Sequence, residues 1–306
     1  MKKENMNYLK QELENFEKIS KILITPPGEI PKLNDIDIYG ESIPLYGVIG
    51  GDHIIFVDFD KRFDLESRIR RAQESGIEDI KKKLILNKTR AGILIADVSG
   101  HSITDAYLAG RLHDAFLTGV LYELDTYGEI TTRLFETLNT RFYNSFTIDK
   151  YLTMIYGEIS ESGKFRFISA AHPHPIVFSN KYDKIVKISK ERLVTYPPLG
   201  MFPSEEDIDK KRNFSQIGYK KKYTINEINL MGSGDIILLH TDGLSEHHKD
   251  DDEYFPERLE ETLRKTKHLP SQEVFHKLKE DIMKFGRPTD DISYVIVKKK
   301  LKLPWP

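Results

Sequence analysis

Residues 151–179 run YLTMIYGEISESGKFRFISAAHPHPIVFS, and the fold class turns on how they are read. Three stretches rich in β-branched and aromatic residues, at 151–159, 164–170 and 175–179, follow one another with no room for a helix between them. The first two are joined across Glu161-Ser162-Gly163, a tight hairpin turn. Strands joined this closely pair antiparallel, so a doubly wound parallel sheet is disfavoured. Working outward, further strand candidates are YGVIGG (46–51), HIIFVDF (53–59), AGILIADV (91–98), DIILLHTDG (235–243) and DISYVIVK (291–298). Helical patterns occupy 63–83, 102–125, 130–144, 256–267 and 271–285. The second opens on Ser102-Ile103-Thr104-Asp105, which resembles a capping box, and the last runs from Ser271 to a stop at Gly286 and Pro288. The expectation is an α+β fold, antiparallel sheets covered by helices.

Ahead of this body, Met6, Leu9, Leu13, Phe16 and Leu23 recur at three- and four-residue spacing, with Ser20 interrupting, which makes residues 6–23 an amphipathic helix. Two readings stay open: docking on its own domain, or a two-stranded coiled coil of about two and a half heptads that would make a homodimer. Pro26, Pro27, Gly28 and Pro31 then stop the helix and stiffen a connector, dividing the chain into a helix and linker at 1–35 and a main domain at 36–300. With 306 residues, 39% hydrophobic and 31% charged, the chain is long enough for one large core. Its 46 basic and 48 acidic residues nearly cancel, so no global field draws it to nucleic acid or acidic lipid. It has no cysteine, which excludes disulfides, thiolate metal sites and a cysteine nucleophile. No apolar run is long enough to span a membrane or serve as a signal peptide, and a cytoplasmic location is expected.

The chemistry lies in four aspartates. Asp52 follows Gly50-Gly51, Asp97 follows an apolar run, Asp242 follows another, and Asp290 precedes one, so each stands at a strand end. A carboxylate at the end of a buried run is costly unless it is paired or binds metal, and strand ends can converge. Glycines beside the acids let the backbone turn sharply or come close to a ligand. Carboxylates without sulfur form a hard oxygen site suited to two Mg²⁺ or Mn²⁺ ions. Two such ions, roughly 4 Å apart, can activate a bridging water for in-line attack on a phosphoryl group, with no nucleophilic side chain. Asp291, beside Asp290, is read as accepting hydrogen bonds from the turn.

The blocks Gly50-Gly51-Asp52, Ala96-Asp97-Val98-Ser99-Gly100-His101, Ala170-Ala171-His172-Pro173, Pro198-Leu199-Gly200-Met201, Ser233-Gly234-Asp235, His240-Thr241-Asp242-Gly243-Leu244-Ser245-Glu246 and Asp290-Asp291-Ile292 occur in this order. Together they resemble the SpoIIE-type branch of the protein phosphatase 2C (PPM) superfamily, the metal-dependent serine/threonine phosphatases. The resemblance implies two stacked antiparallel β-sheets flanked by α-helices, an α-β-β-α sandwich, with the metals at one end. It also implies that Asp97 bridges two ions, that the Val98 carbonyl completes one shell, that Asp242 and Asp290 hold the other ion, and that Asp52 contributes directly or through water. Asp97, Asp242 and Asp290 would be the catalytic set, and Gly243 would keep the approach to Asp242 open. The substrate implied is a phosphoserine or phosphothreonine on a regulatory partner of the anti-anti-sigma (STAS) type, in a bacterial partner-switching circuit.

Several positions depart from the family pattern or stand outside it. The first block continues His-Ile-Ile-Phe-Val-Asp-Phe where the family has a shorter spacing, so Asp58 is left out of the site. Residues 61–90 form a charged insertion, and Ala170-Ala171-His172 stands where Ala-Gly-His is commoner. His101 is weighed as an acid for the leaving oxygen. His172 and His174 are read as packing, His247-His248 and the acidic run at 250–253 as solvated surface, and the basic stretches 210–212 and 220–222 as a solvated face or docking rim. Two rival readings are a catalytically idle module that sequesters a signalling partner and, from Gly50-Gly51-Asp52 alone, a nucleotide cyclase. The second lacks the acidic residues it would need at His53-Ile54.

Overall fold

The computed structural model describes residues 2–25, 29–46, 50–100, 103–143, 150–207, 210–229 and 232–301. Helix α1 (Lys2–Ser20) and a 3-10 turn (Lys21–Leu23) precede β1 (Ile36–Ile43) and β2 (His53–Asp58). Helices α2 (Phe59–Arg62), α3 (Leu65–Glu74) and α4 (Glu78–Asn87) lead to β3 (Arg90–Val98). Two longer helices, α5 (Ile103–Tyr127) and α6 (Thr132–Tyr143), separate it from β4 (Leu152–Ser160), β5 (Phe165–Ala170), β6 (Ile176–Ser179) and β7 (Lys184–Val186). Then come β8 (Asn226–Ile228), β9 (Ile236–His240), the single turn α7 (Asp242–Ser245) and a small hairpin, β10 (His248–Lys249) with β11 (Asp252–Glu253). Helices α8 (Glu257–Thr266) and α9 (Ser271–Phe285) and strand β12 (Ile292–Lys299) complete the chain.

The strands form two antiparallel sheets, in the orders β1-β12-β9-β6-β7 and β2-β3-β4-β5-β8. Along the central strands the residues alternate between two apolar destinations. Ile93 and Ile95 of β3 point into the space between the sheets, against Val177, Ile237 and Val295, while Leu94 and Ala96 face Leu112, Phe116 and Phe135 of α5 and α6. On the far side, Leu238, Tyr294 and Ile296 pack on Leu259, Leu263, Phe275 and Leu278 of α8 and α9. Both faces of both sheets are therefore covered, and the layers read helix, sheet, sheet, helix.

The decisive stretch behaves as expected in its first half. β4 and β5 form a hairpin with Ile155 opposite Ser169 and Ile159 opposite Phe165. β6 does not continue that hairpin: it crosses to the other sheet and pairs with β9. Pro173 and Pro175 lie in the crossover, and a residue without an N–H cannot carry a ladder onward. Strand β1 was not among the sequence candidates, although Ile36 and Ile38 alternate with polar neighbours; its place is set by full-length pairing with β12. The helical pattern at 63–83 is two helices, broken near Gly76, whose φ of 69° lies in the left-handed region. The candidate strand at 46–51 falls partly outside the described residues, as do Pro26, Pro27 and Gly28 of the connector and Ser102 of the capping box. Helix α1 leaves its apolar stripe uncovered: Met6, Leu9 and Leu13 are exposed.

Candidate active site at the converging strand ends

Antiparallel pairing gathers the acids. His53 of β2 lies opposite Ala96 of β3, so Asp52, just before β2, stands across from Asp97 near the end of β3. In the other sheet Tyr294 lies opposite His240, which brings the chain just ahead of β12, with Asp290, beside the start of α7, with Asp242. Thr241 ties these two corners together. Its hydroxyl donates to Asp52 Oδ2 at 2.7 Å and accepts the Ser293 N–H at 3.0 Å, linking one sheet to the other. The four aspartates predicted to stand at strand ends all do so, and at the same end of the sandwich.

Burial and mutual repulsion mark the cluster. Asp52 is buried, and its carboxyl is held well above the usual carboxylate range, first by burial and then by the charge of Asp97. Asp97 is pushed up to about 7 by burial and by the charges of Asp242, Asp290 and Asp291. Asp52 and Asp97 are close enough to share a hydrogen bond when one carries a proton. Asp242 is also raised, by burial, Glu246 and Asp290. Carboxylates crowded in this way are in their most favourable state when cations neutralise them.

Asp291 has a different part. It is buried, and its carboxylate accepts the N–H of Leu45 at 2.6 Å and of Gly51 at 2.8 Å, so it is a hydrogen-bond acceptor as expected, but its donors lie between β1 and β2 rather than in its own turn. Asp290 is exposed and accepts the Asp291 N–H at 2.8 Å. The glycines serve this packing. A methyl group on Gly50 would lie 1.9 Å from Asp291 Oδ2, and one on Gly51 would lie 2.7 Å from the Val98 carbonyl oxygen. Gly243 was expected to keep the approach to Asp242 open; a methyl there would instead lie 2.0 Å from the Asp291 carbonyl oxygen, so its small size serves a backbone contact.

The donors present, aspartate carboxylates with the Val98 carbonyl nearby, fit hard divalent ions such as Mg²⁺ or Mn²⁺. Among the described residues, no group of three carboxylate or imidazole side chains is already drawn into a single coordination shell. The acids are within electrostatic reach of one another rather than locked into a cage.

The remaining candidates separate clearly. Asp58, at the other end of β2, caps α2 by accepting the Lys61 N–H at 3.1 Å and stands outside the cluster. His101 lies outside the described residues. His172 is buried behind the site, with Nδ1 2.9 Å from the Thr153 hydroxyl; Thr153 is the partner of Asp97 across β3 and β4. Two expectations are corrected. His247 is buried against Tyr254 and Phe285, with Nε2 3.2 Å from the Ile282 carbonyl; its neighbour His248 is exposed. Lys220 is likewise buried, its ammonium bonded to both carboxylate oxygens of Glu136 at 3.0 and 2.9 Å and lying 3.5 Å from the Tyr223 ring centre. Thr241, between His240 and Asp242, carries no spacing signal of its own in the sequence, and only the packing of the two sheets reveals its part.

Comparison with known proteins fits this geometry. The family model described as Stage II sporulation protein E (SpoIIE) matches residues 87–300. Phosphoserine phosphatase RsbP of Bacillus subtilis (strain 168) is 27% identical over 192 residues, covering 56% of this chain and 46% of RsbP. The chain thus spans about half the length of that relative. Among solved structures, the SiaA-PP2C domain of Pseudomonas aeruginosa superposes with a TM-score of 0.61 at 12% identity, over 95% of this chain and 98% of that one. The PP2C phosphatase domain of SpoIIE from Bacillus subtilis, with a fragment of its regulatory domain, gives a TM-score of 0.58 at 15% identity, over 88% and 64%. At these identities the structural likeness concerns the fold, which is the sandwich expected from the sequence blocks.

Proposed function

The chain belongs to the Stage II sporulation protein E (SpoIIE) family, and on that premise we propose that it is a metal-dependent phosphatase acting on phosphoserine or phosphothreonine of a regulatory partner protein. The observation that carries this reading is the convergence of Asp52, Asp97, Asp242 and Asp290 at one end of the sandwich, with Asp97 held near pH 7 by burial and its acidic neighbours. Asp52, Asp97, Asp242, Asp290 and the Val98 carbonyl would hold two Mn²⁺ or Mg²⁺ ions. When bound, these ions supply the activated water and the positive charge that phosphoryl transfer requires. The chain's own part is to hold the acids at fixed strand ends, to bury Asp52 away from water, and to brace its carboxylate with Thr241. Asp97, Asp242 and Asp290 are the residues on which turnover is proposed to depend.

The substrate proposed is an anti-anti-sigma (STAS-type) phosphoprotein, an assignment supported by kinship with RsbP, a phosphoserine phosphatase by name. We take residues 36–300 as the phosphatase domain. β1 and β2 precede the family match yet complete the edges of both sheets. Among the described residues no helix is long and apolar enough to cross a membrane, in keeping with action in the cytoplasm. The uncovered stripe of α1 supports a homodimer through that helix. The test of activity is Mn²⁺-dependent hydrolysis of p-nitrophenyl phosphate and of a phosphorylated STAS protein. Asp242→Asn should abolish both while the circular dichroism spectrum stays that of the native protein. A wild-type protein that binds the phosphoprotein but never turns over, at any Mn²⁺ concentration, would instead be an idle scaffold.

A further inference from the structure

The loop that follows Asp97 is held by an ion pair to which the proposed reaction gives no role. Asp105, in the first turn of α5, is fully buried, and the Lys150 ammonium approaches its Oδ1 at 2.6 Å from just ahead of β4. A carboxylate this deep is tolerated only when a cation and hydrogen bonds compensate its lost hydration. Lys150 Nζ also donates to the Ser99 carbonyl at 2.8 Å. Beside it the Ser99 N–H donates to the Tyr151 carbonyl at 3.0 Å, and the Tyr151 N–H donates to Ser99 Oγ at 3.1 Å.

The pair also sets the backbone between the acids. Gly100 has a φ of 112°, and a methyl on it would lie 2.7 Å from Asp105 Oδ2 and 2.9 Å from Lys150 Nζ. On the opposite side, a methyl on Gly51 would lie 2.4 Å from the Gly100 carbonyl oxygen, 2.7 Å from that of Val98 and 3.6 Å from Asp105 Cβ. The ion pair is thus packed against the loop that follows Asp97 and Val98 at the end of β3, and that loop packs in turn against the turn that carries Asp52.

We infer that Lys150 and Asp105 form a clamp that fixes the 98–100 loop, so that the Asp97 carboxylate and the Val98 carbonyl are presented to the same ion. Lys150 is then a positioning residue. The inference rests on the metal-site reading given above. Groups that orient the ligands of a metal typically change its affinity 10- to 100-fold when removed. Charge would obscure this in a single variant, because removing Lys150 alone strips a cation from beside the acids and so favours metal binding by Coulomb's law. The double variant Lys150→Met/Asp105→Asn removes both charges, keeps the net charge and leaves only the loss of positioning.

The experiment measures Mn²⁺ binding to the full chain by calorimetry without substrate, hydrogen exchange of residues 94–100 in the metal-free protein, and KM and kcat with p-nitrophenyl phosphate. The double variant should bind Mn²⁺ about tenfold more weakly and exchange faster at Ser99 and Gly100, whereas Lys150→Arg should retain near wild-type Mn²⁺ affinity. A folded double variant with unchanged Mn²⁺ affinity overturns the inference. So does a rise in KM with Mn²⁺ affinity intact, which would make Lys150 a substrate contact. A wild-type protein that binds no Mn²⁺ overturns the metal reading and this inference together, whereas a wild type that binds it and a double variant that binds it equally overturn this inference alone. Should the double variant not fold, Lys150→Met alone is compared with wild type by exchange at Ser99 and Gly100: faster exchange supports the clamp, and unchanged exchange overturns it.

Discussion

Replacing Asp97 by Asn should make the metal-free protein more stable at pH 8 while abolishing turnover. Asp97 has its carboxyl raised from 3.8 to about 7 by burial and by Asp242, Asp290 and Asp291. A group raised in this direction contributes stability that is fully present below about pH 4 and is lost as pH rises towards 7. The shift of roughly 3 units, at about 1.4 kcal/mol each, bounds the cost of the ionised form near 4 kcal/mol. Asn keeps the shape and removes the charge, but Asp52 still faces Asp291, and Asp242 still faces Glu246 and Asp290, so a gain of about 2 kcal/mol is expected. For a chain of this length that raises the melting temperature by about 3 °C. The assay is thermal unfolding of wild type and Asp97→Asn after EDTA treatment, at pH 5 and pH 8, with and without Mn²⁺. The variant should melt higher at pH 8, by less than half as much at pH 5, and gain nothing from Mn²⁺, whereas wild type should gain from it. A variant less stable than wild type at pH 8, or a difference of the same size at both pH values, would refute the view that Asp97 is strained by its acidic neighbours.

Three further perturbations probe the surroundings of the site. Gly243→Ala forces a methyl to 2.0 Å from the Asp291 carbonyl oxygen and should cost about 2–3 kcal/mol in urea unfolding; an unchanged midpoint would show that the contact is not enforced. Thr241→Val leaves the Ser293 N–H and the Asp52 carboxyl without the hydroxyl between them, at a cost of about 1–3 kcal/mol, and should weaken Mn²⁺ binding in calorimetry; equal stability and affinity would remove Thr241 from the account. Leu9→Asp with Leu13→Asp puts charge on the exposed stripe of α1 and should convert a dimer to monomer in sedimentation without altering the melting of the main domain. Identical sedimentation of variant and wild type would exclude pairing through this helix.

How much of this was legible in the sequence depended on the range of the interaction. The strands at 91–98, 235–243 and 291–298 were visible because buried segments are locally rich in β-branched residues. Their direction was not visible from alternation, since Ile93 and Leu94 both meet apolar layers and the period of two disappears. β1 was missed because its alternation is short and its partner β12 lies some 250 residues away along the chain. His247 and Lys220 looked like surface residues because their types usually are, and only the packing of Phe285 and the pairing with Glu136 put them inside.

The sequence by itself determined most of the long strand segments, β1 apart, and the placing of four aspartates at strand ends, because composition and local order suffice for these. Tertiary structure alone decided that β6 crosses between sheets, that Asp291 is buried while Asp290 is exposed, that Thr241 bridges the two halves of the cluster, and that Lys150 reaches a buried Asp105. Those outcomes depend on which strands come to lie side by side, and pairing between distant segments is settled by the burial of the whole core, which no single stretch of chain encodes.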